Sequence, residues 1–191
     1  MDFLNKLGSL SSRYKNLFFT SDEHFSHSRI IEYSNRPFNS VTEMNETLIS
    51  NHNSIVTDRD LTIHAGDFTF EKNISKVEQL IYRLNGLHIF LEGSHDYWQK
   101  VIKKKYNIFF NQSINIIKDK CYIVVCHYAM ARWPRSHYNS YLAFGHSHGH
   151  YTNPGKSWDV GVDNNNYFPV SIQKFKEIMK ELPDNENNHK K

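Results

Sequence analysis

Short apolar runs rich in aromatic and β-branched residues alternate along this chain with segments whose apolar positions recur at helical spacing. The runs predict strands over Asn16–Ser21, Leu61–Ala65, His88–Leu91, Ile108–Asn111, Ile114–Ile117, Cys121–Cys126, Tyr141–Phe144 and Trp158–Val162. Ser40-Val41-Thr42-Glu43 has the form of a capping box, in which a hydroxyl and a carboxylate satisfy the free amides of a first helical turn. It predicts a helix with Met44, Leu48 and Ile55 on one face. Ser75-Lys76-Val77-Glu78 repeats the device, opening a helix with Val77, Leu80, Ile81 and Leu84 inward and Gly86 just past its end. A last helix over 171–181 carries Phe175, Ile178 and Met179. Alternation in the first half and successive strands in the second predict an α/β sandwich of mixed sheets with flanking helices.

Polar clusters fall at repeated places on this skeleton. Asp22-Glu23-His24, Gly66-Asp67, Gly93-Ser94-His95-Asp96, His127 and Gly145-His146-Ser147-His148 each lie just beyond the C-terminal end of a predicted strand. In α/β sheets that edge is where loops from distant parts of the chain converge on a ligand. Positions two apart in an extended segment point the same way, so Asp22 and His24 can meet one metal, and His146 and His148 can present two imidazoles to one small volume. Asp67 can bridge two ions through its two oxygens. A nitrogen and oxygen set without thiolate suits Mn, Fe or Zn rather than Ca or a structural zinc site. Cys126 abuts His127 but faces away by strand alternation, so it is not counted as a ligand.

Composition narrows the picture. Of 191 residues 12 are His against 8 Gly, an inversion of ordinary usage that makes the placement of histidine the informative feature. The length suits one domain, expected over residues 1–182, with a polar, disordered tail at 183–191. Two cysteines exclude a disulfide scaffold and fit a reduced compartment. No basic leader opens the sequence and no apolar run approaches a membrane span, so a soluble, cytoplasmic protein without a membrane partner is expected. A net charge of +3, with Lys190 and Lys191 at the extreme end, disfavours an extended nucleic-acid groove.

In their order, these motifs resemble the calcineurin-like metallophosphoesterase family, whose signature runs D-x-H, G-D, G-N-H-[DE], H and G-H-x-H. The likeness spans about residues 16–163. Phe19 to Phe25, Asn35-Arg36-Pro37-Phe38 and Val160-Gly161-Val162-Asp163 look like its small bacterial and phage branch. The resemblance implies a four-layer α/β/β/α sandwich and two divalent ions, Mn foremost, with Fe, Zn, Ni or Co as alternatives. It assigns one ion to Asp22, His24, Asp67 and His148, and the other to Asp67, the Ser94 position, His127 and His146. His95 then contacts the substrate phosphate or protonates the leaving oxygen, and Asp96 orients it. The implied activity is hydrolysis of a nucleotide or related phosphodiester. Around these, Arg36, His27 and His150 are candidates for substrate binding, Asp163 for a hydrogen bond to a ligand imidazole, and Trp133, Arg135, His137 and Tyr138 for a substrate wall. His64 reads as a core histidine or a group behind the ligands, and His52 and His88 as structural. The family has Asn where this chain has Ser94, a shorter and poorer ligand. That departure predicts a weaker second metal site, and it keeps open a protein-binding scaffold on the same fold.

Overall fold

The computed structural model describes residues 6–10, 13–106, 110–186 and 188–189. Among the described residues, two four-stranded mixed sheets carry five α-helices. In the first sheet β1 (Leu17–Thr20), β2 (Leu61–His64) and β3 (Leu87–Phe90) run parallel, and β8 (Val170–Ser171) pairs antiparallel with β1. In the second, β4 (Ser113–Lys118) is antiparallel to β5 (Cys121–Cys126), which continues in parallel to β6 (Tyr141–Phe144) and β7 (Ser157–Asp159). The helices are α1 (Ile30–Tyr33), α2 (Val41–Ile55), α3 (Ile74–Arg83), α4 (Tyr97–Tyr106) and α5 (Ile172–Glu181). None is long and apolar enough to cross a membrane.

Alternation along the strands divides the buried residues. Leu17, Phe19, Leu61 and Ile63 of the first sheet share one cluster with Ile123, Val125 and Ala143 of the second, closed by Phe175 and Met179 of α5. The opposite face of the first sheet packs Phe90 against Met44 and Leu48 of α2, Val77 and Ile81 of α3, and Trp98 and Ile102 of α4. On the outer face of the second sheet, Val124, Cys126, Leu142 and Phe144 are covered by Trp133, which comes from a loop rather than a helix. The expected substrate wall is therefore in part a cover for this sheet. Trp133 is 6% exposed with its indole donating to Ser140 O, and Arg135 lies over the Tyr122 ring at 5.1 Å. Both cysteines are free, and Cys126 faces this outer layer, away from the histidines.

Several local expectations change. Ser40 caps α2 by accepting from Glu43 N, but the Glu43 carboxylate reaches back to Asn39. Ile55, at the end of α2, is 41% exposed, and the inward position is taken by His52. The cap of α3 is Asn73, whose side chain accepts from Ser75 N and Lys76 N, so the helix starts before the Ser75 box. Gly86 follows at φ +92°, turning the chain into β3. β7 stops at Asp159 because the next residues cross between sheets: Val160 N bonds Phe144 O, and Val162 N bonds Ser21 O. Of the predicted Ile108–Asn111 strand, 108 and 109 lie outside the described residues, and Asn111 makes only an isolated bridge to Leu91. The tail begins packed: Asn185 is 4% exposed and donates to Ser136 O and Ser140 O. Its amide oxygen accepts from Lys156 N, so side-chain bonding overrides the polar composition.

A stripe of histidines runs through the helix-side core. His52, His64 and His88 are all at least 96% buried, with His64 and His88 rings 5.2 Å apart. Burial holds His52 down at about 4 and His88 well below its usual value, so both stay neutral in the folded protein. The unfolded chain takes up these protons near pH 6.5 and the folded one does not, so their contribution is present above about pH 6.5 and is lost as pH falls toward 4. For His52 the loss is on the order of 3 kcal/mol. The urea midpoint is expected to fall between pH 7 and pH 5, and to fall less in His52→Gln. Equal slopes in the two proteins would contradict this account.

Candidate metal centre

Register aligns the C-terminal ends of the parallel strands, with Thr20 beside His64 and His64 beside Phe90. Loops from β1, β2 and β3 therefore leave one edge together, and those from β5 and β6 leave the adjoining edge of the second sheet. The chain turns sharply there. Asp22, His24, Asp67, His146 and His148 all adopt left-handed backbone, at φ between +49° and +70°. Few residues other than glycine do so, Asp and His among the more tolerant, and such strain gathers at functional sites. Packing between the loops is tight. A Cβ on Gly93 would stand 2.2 Å from Asp67 N, and one on Gly145 would stand 2.0 Å from Ser21 Oγ. Across the junction His146 N donates to Asp22 Oδ2 at 2.8 Å, and His127 Nδ1 lies 3.0 Å from Ala65 O.

Two groups result. Asp22, His24 and His148 form one, and Asp67, His127 and His146 the other, with the ligating atoms of each within 4.8 Å of one another. Asp67 Oδ2 lies between them, 3.7 Å from His24 Nε2 and 3.5 Å from His127 Nε2. Asp22 Oδ1, both nitrogens of His24 and His127 Nε2 are buried with no hydrogen-bond partner. Orphaned polar atoms in an interior are costly, and coordination to a cation would satisfy all of those that face the groups. Meanwhile His127 Nδ1 and His148 Nδ1 are held from behind, the latter by Asp163 Oδ2 at 2.7 Å, which leaves Nε2 as the free atom. These residues fit a pair of divalent ions.

The electrostatics agree with that fit. Burial pushes Asp22 up to about 7, although His127 and His148 pull the other way. Burial also drives His24 far down, leaving a neutral imidazole suited to ligation. At Asp67 burial is outweighed by the nearby His127 imidazole and by the His95 amide, so the carboxylate is held well below its usual range. Burial opposes charge on His127 and His148, yet the carboxylates of Asp67 and Asp163 overcome it and raise both. Burial lowers His146, with the His127 charge adding to it.

The expected residues divide as follows. His146 and His148 do not serve one volume: with both in left-handed backbone rather than an extended segment, each turns to a different group. Asp22 and His24 meet as expected, but through the same left-handed turns. Ser94 Oγ donates to Asp67 Oδ2 at 2.8 Å and so borders the second group. His95 is exposed, its ring 5.9 Å from His24 and 5.0 Å from Phe70. Asp96 does not orient it. Its buried carboxylate accepts from Asp67 N, Phe68 N, Gly93 N and the Trp98 indole, clamping the β2 and β3 loops together. Arg36 is not a phosphate clamp either. It is 4% exposed, and all five N–H groups are engaged by Asp163 Oδ1 and Oδ2, Asp22 O, Glu23 O and Met44 Sδ. His27 stays beside the site, stacked on Phe70 at 3.8 Å and 5.6 Å from His24. His150 is exposed and belongs to neither group. Sequence reading missed that Arg36 and Asp163 act together, holding the β1 loop and His148 as one unit. Their separation of 127 positions gave no local signal. Removing the Asp163 charge in Asp163→Asn is expected to weaken metal binding by about 10- to 100-fold, read by calorimetric titration with Mn. An unchanged affinity would count against the assignment.

No family model matches the chain. The uncharacterized protein MJ1445 of Methanocaldococcus jannaschii is 34% identical over 170 residues, which cover 83% of this chain and 88% of that protein. Among solved structures, the protein of unknown function AQ665 from Aquifex aeolicus superposes with a TM-score of 0.66 at 24% identity, covering 85% of this chain and 98% of that one, and so has the same fold. A conserved uncharacterized protein of Streptococcus pneumoniae TIGR4, described as a predicted phosphoesterase, reaches a TM-score of only 0.35 at 10% identity over 70% of this chain and 63% of that one, too low to bear on fold or function. On the extent and identity of the first match, this chain belongs to the family of MJ1445.

Proposed function

We propose that the protein is a metal-dependent phosphoesterase that hydrolyses a nucleotide or related phosphodiester, with two divalent ions, Mn foremost, as cofactors. On this reading the enzyme works in the cytoplasm, and the helices that flank its first sheet have no counterpart on the outer face of the second among the described residues. The observation that carries the proposal is the position of Asp67 Oδ2 between His24 Nε2 and His127 Nε2, amid buried polar atoms with no partner. One carboxylate between two ligand groups suits a two-ion phosphoester centre, whose ions must lie close together.

Asp22, His24 and His148 would hold one ion and Asp67, His127 and His146 the other, with Asp67 placed to serve both. When bound, such ions acidify a water and neutralise charge on the phosphoryl oxygens. The chain supplies the rest. His95, exposed at the rim, donates a proton or a hydrogen bond to the departing oxygen. His27, stacked on Phe70, lines the same side. Asp96 fixes the Asp67 and Gly93 loops against each other, so the shared carboxylate and His95 keep their spacing.

Hydrolysis of bis-p-nitrophenyl phosphate with added Mn tests the reading. Asp67→Asn is expected to remove nearly all activity, because both groups lose their common charge. Activity equal to the parent in Asp67→Asn would refute the shared-carboxylate mechanism. Ser94 favours a second reading, a protein-binding scaffold on this fold, since its hydroxyl already occupies Asp67 Oδ2. Ser94→Asn, which adds an amide oxygen, is expected to raise metal content measured by mass spectrometry. Two tightly held ions in both forms would show that Ser94 weakens nothing, and no hydrolysis with any of several metals would favour the scaffold.

A further inference from the structure

Beneath the ligand loops a chain of buried polar side chains crosses the first sheet. Glu23 sits between two candidate ligands but turns the other way, 5% exposed, into the helix-side core. Its Oε1 accepts from Thr20 Oγ1 at 3.1 Å and lies 2.7 Å from His64 Nδ1. His64 Nε2 is in turn 3.0 Å from His88 Nδ1. With Glu23 Oε1 as the acceptor, His64 donates through Nδ1, and its Nε2 faces His88 Nδ1 as the next link. Stacking on Phe90 at 4.4 Å and an edge contact with Phe68 at 5.2 Å hold the His64 ring in place.

The route is informative. Thr20 and Glu23 belong to β1 and its loop, His64 to the end of β2 three residues before Asp67, and His88 to β3, whose loop carries Ser94 and His95. The chain thus links the three strands whose loops deliver half of the site. A buried carboxylate among histidines generally contributes less stability than apolar packing of the same volume. Glu23 Oε2 and His88 Nε2 even end without partners. Its value is therefore geometric.

We propose that Glu23 and His64 are positioning residues that set the left-handed turn aiming Asp22 and His24 at the first ion. This rests on the metal-centre reading above. By holding the Glu23 side chain in the core, His64 fixes the residue between the two left-handed ones, and it ties that turn to the strand leading to Asp67. Arg36 holds the same turn through the carbonyls of Asp22 and Glu23, from the side facing Asp163.

The experiment is calorimetric titration of the full chain with Mn, alongside thermal unfolding without metal. In Glu23→Ala, one of the two sites is expected to weaken about 10- to 100-fold while the other keeps its affinity. Glu23→Gln should recover most of the loss, since an amide oxygen still accepts from His64 Nδ1. If Glu23→Ala does not fold, His64→Phe, which keeps the stack on Phe90, gives the same readout. A folded Glu23→Ala or His64→Phe protein with both affinities within twofold of the parent would overturn the proposal, even if its unfolding temperature had dropped. Two sites in the parent with no change in the variants defeat this inference alone. Failure of the parent to bind any of Mn, Fe, Zn, Ni or Co defeats it together with the metal-centre reading.

Discussion

A single carboxylate stands where two sheets meet, and the rest of the site is arranged about it. Asp67 Oδ2 has His24 of the first sheet on one side and His127 of the second on the other, both under 4 Å away. That closeness demands that the carboxyl edges of two separate sheets abut, which the shared apolar cluster between them accomplishes. It also demands that the loops bend at once on leaving their strands. Hence the left-handed residues, the close approach at Gly93 and the amide of His146 bonded to Asp22.

The supporting polar groups follow the same logic. Asp96 joins the β2 and β3 loops, Arg36 and Asp163 join the β1 loop to His148, and Glu23 with His64 joins β1 to β2. Each is a buried ionisable group with fixed partners, in a protein whose surface ion pairs, such as Lys174 with Glu177, are exposed and weak contributors. Charge is buried here where it fixes geometry.

Much of the centre was legible in the sequence because its residues sit at a topologically marked place, the ends of strands that apolar runs announce. Asp22, His24, Asp67, His127, His146 and His148 were all found this way. Their grouping was not legible from alternation, since backbone at positive φ breaks the two-residue rule that His146 and His148 were expected to obey. Roles decided by long-range contact were misread as well. Arg36 looks like a phosphate binder until its five donors are traced to partners as far as 127 positions away, and Asp96 looks like a partner of its neighbour His95 until the amides of Asp67 and Phe68 claim it. At the scale of elements, the length of β7 depended on where the chain changes sheets, and β8, two residues long, has no pattern to detect.

The six candidate ligands lie between positions 22 and 148, and no more than two come from any one loop. An unfolded chain therefore has no chelate to offer, and none forms until both sheets are docked. Folding and ion binding at such a site would be one linked equilibrium: an ion that recognised only the assembled edge would stabilise the whole domain by mass action, by about 2.7 kcal/mol at a hundred times its dissociation constant. Such an ion would then act as a clamp on the docking of the two sheets as well as on the loops that hold it.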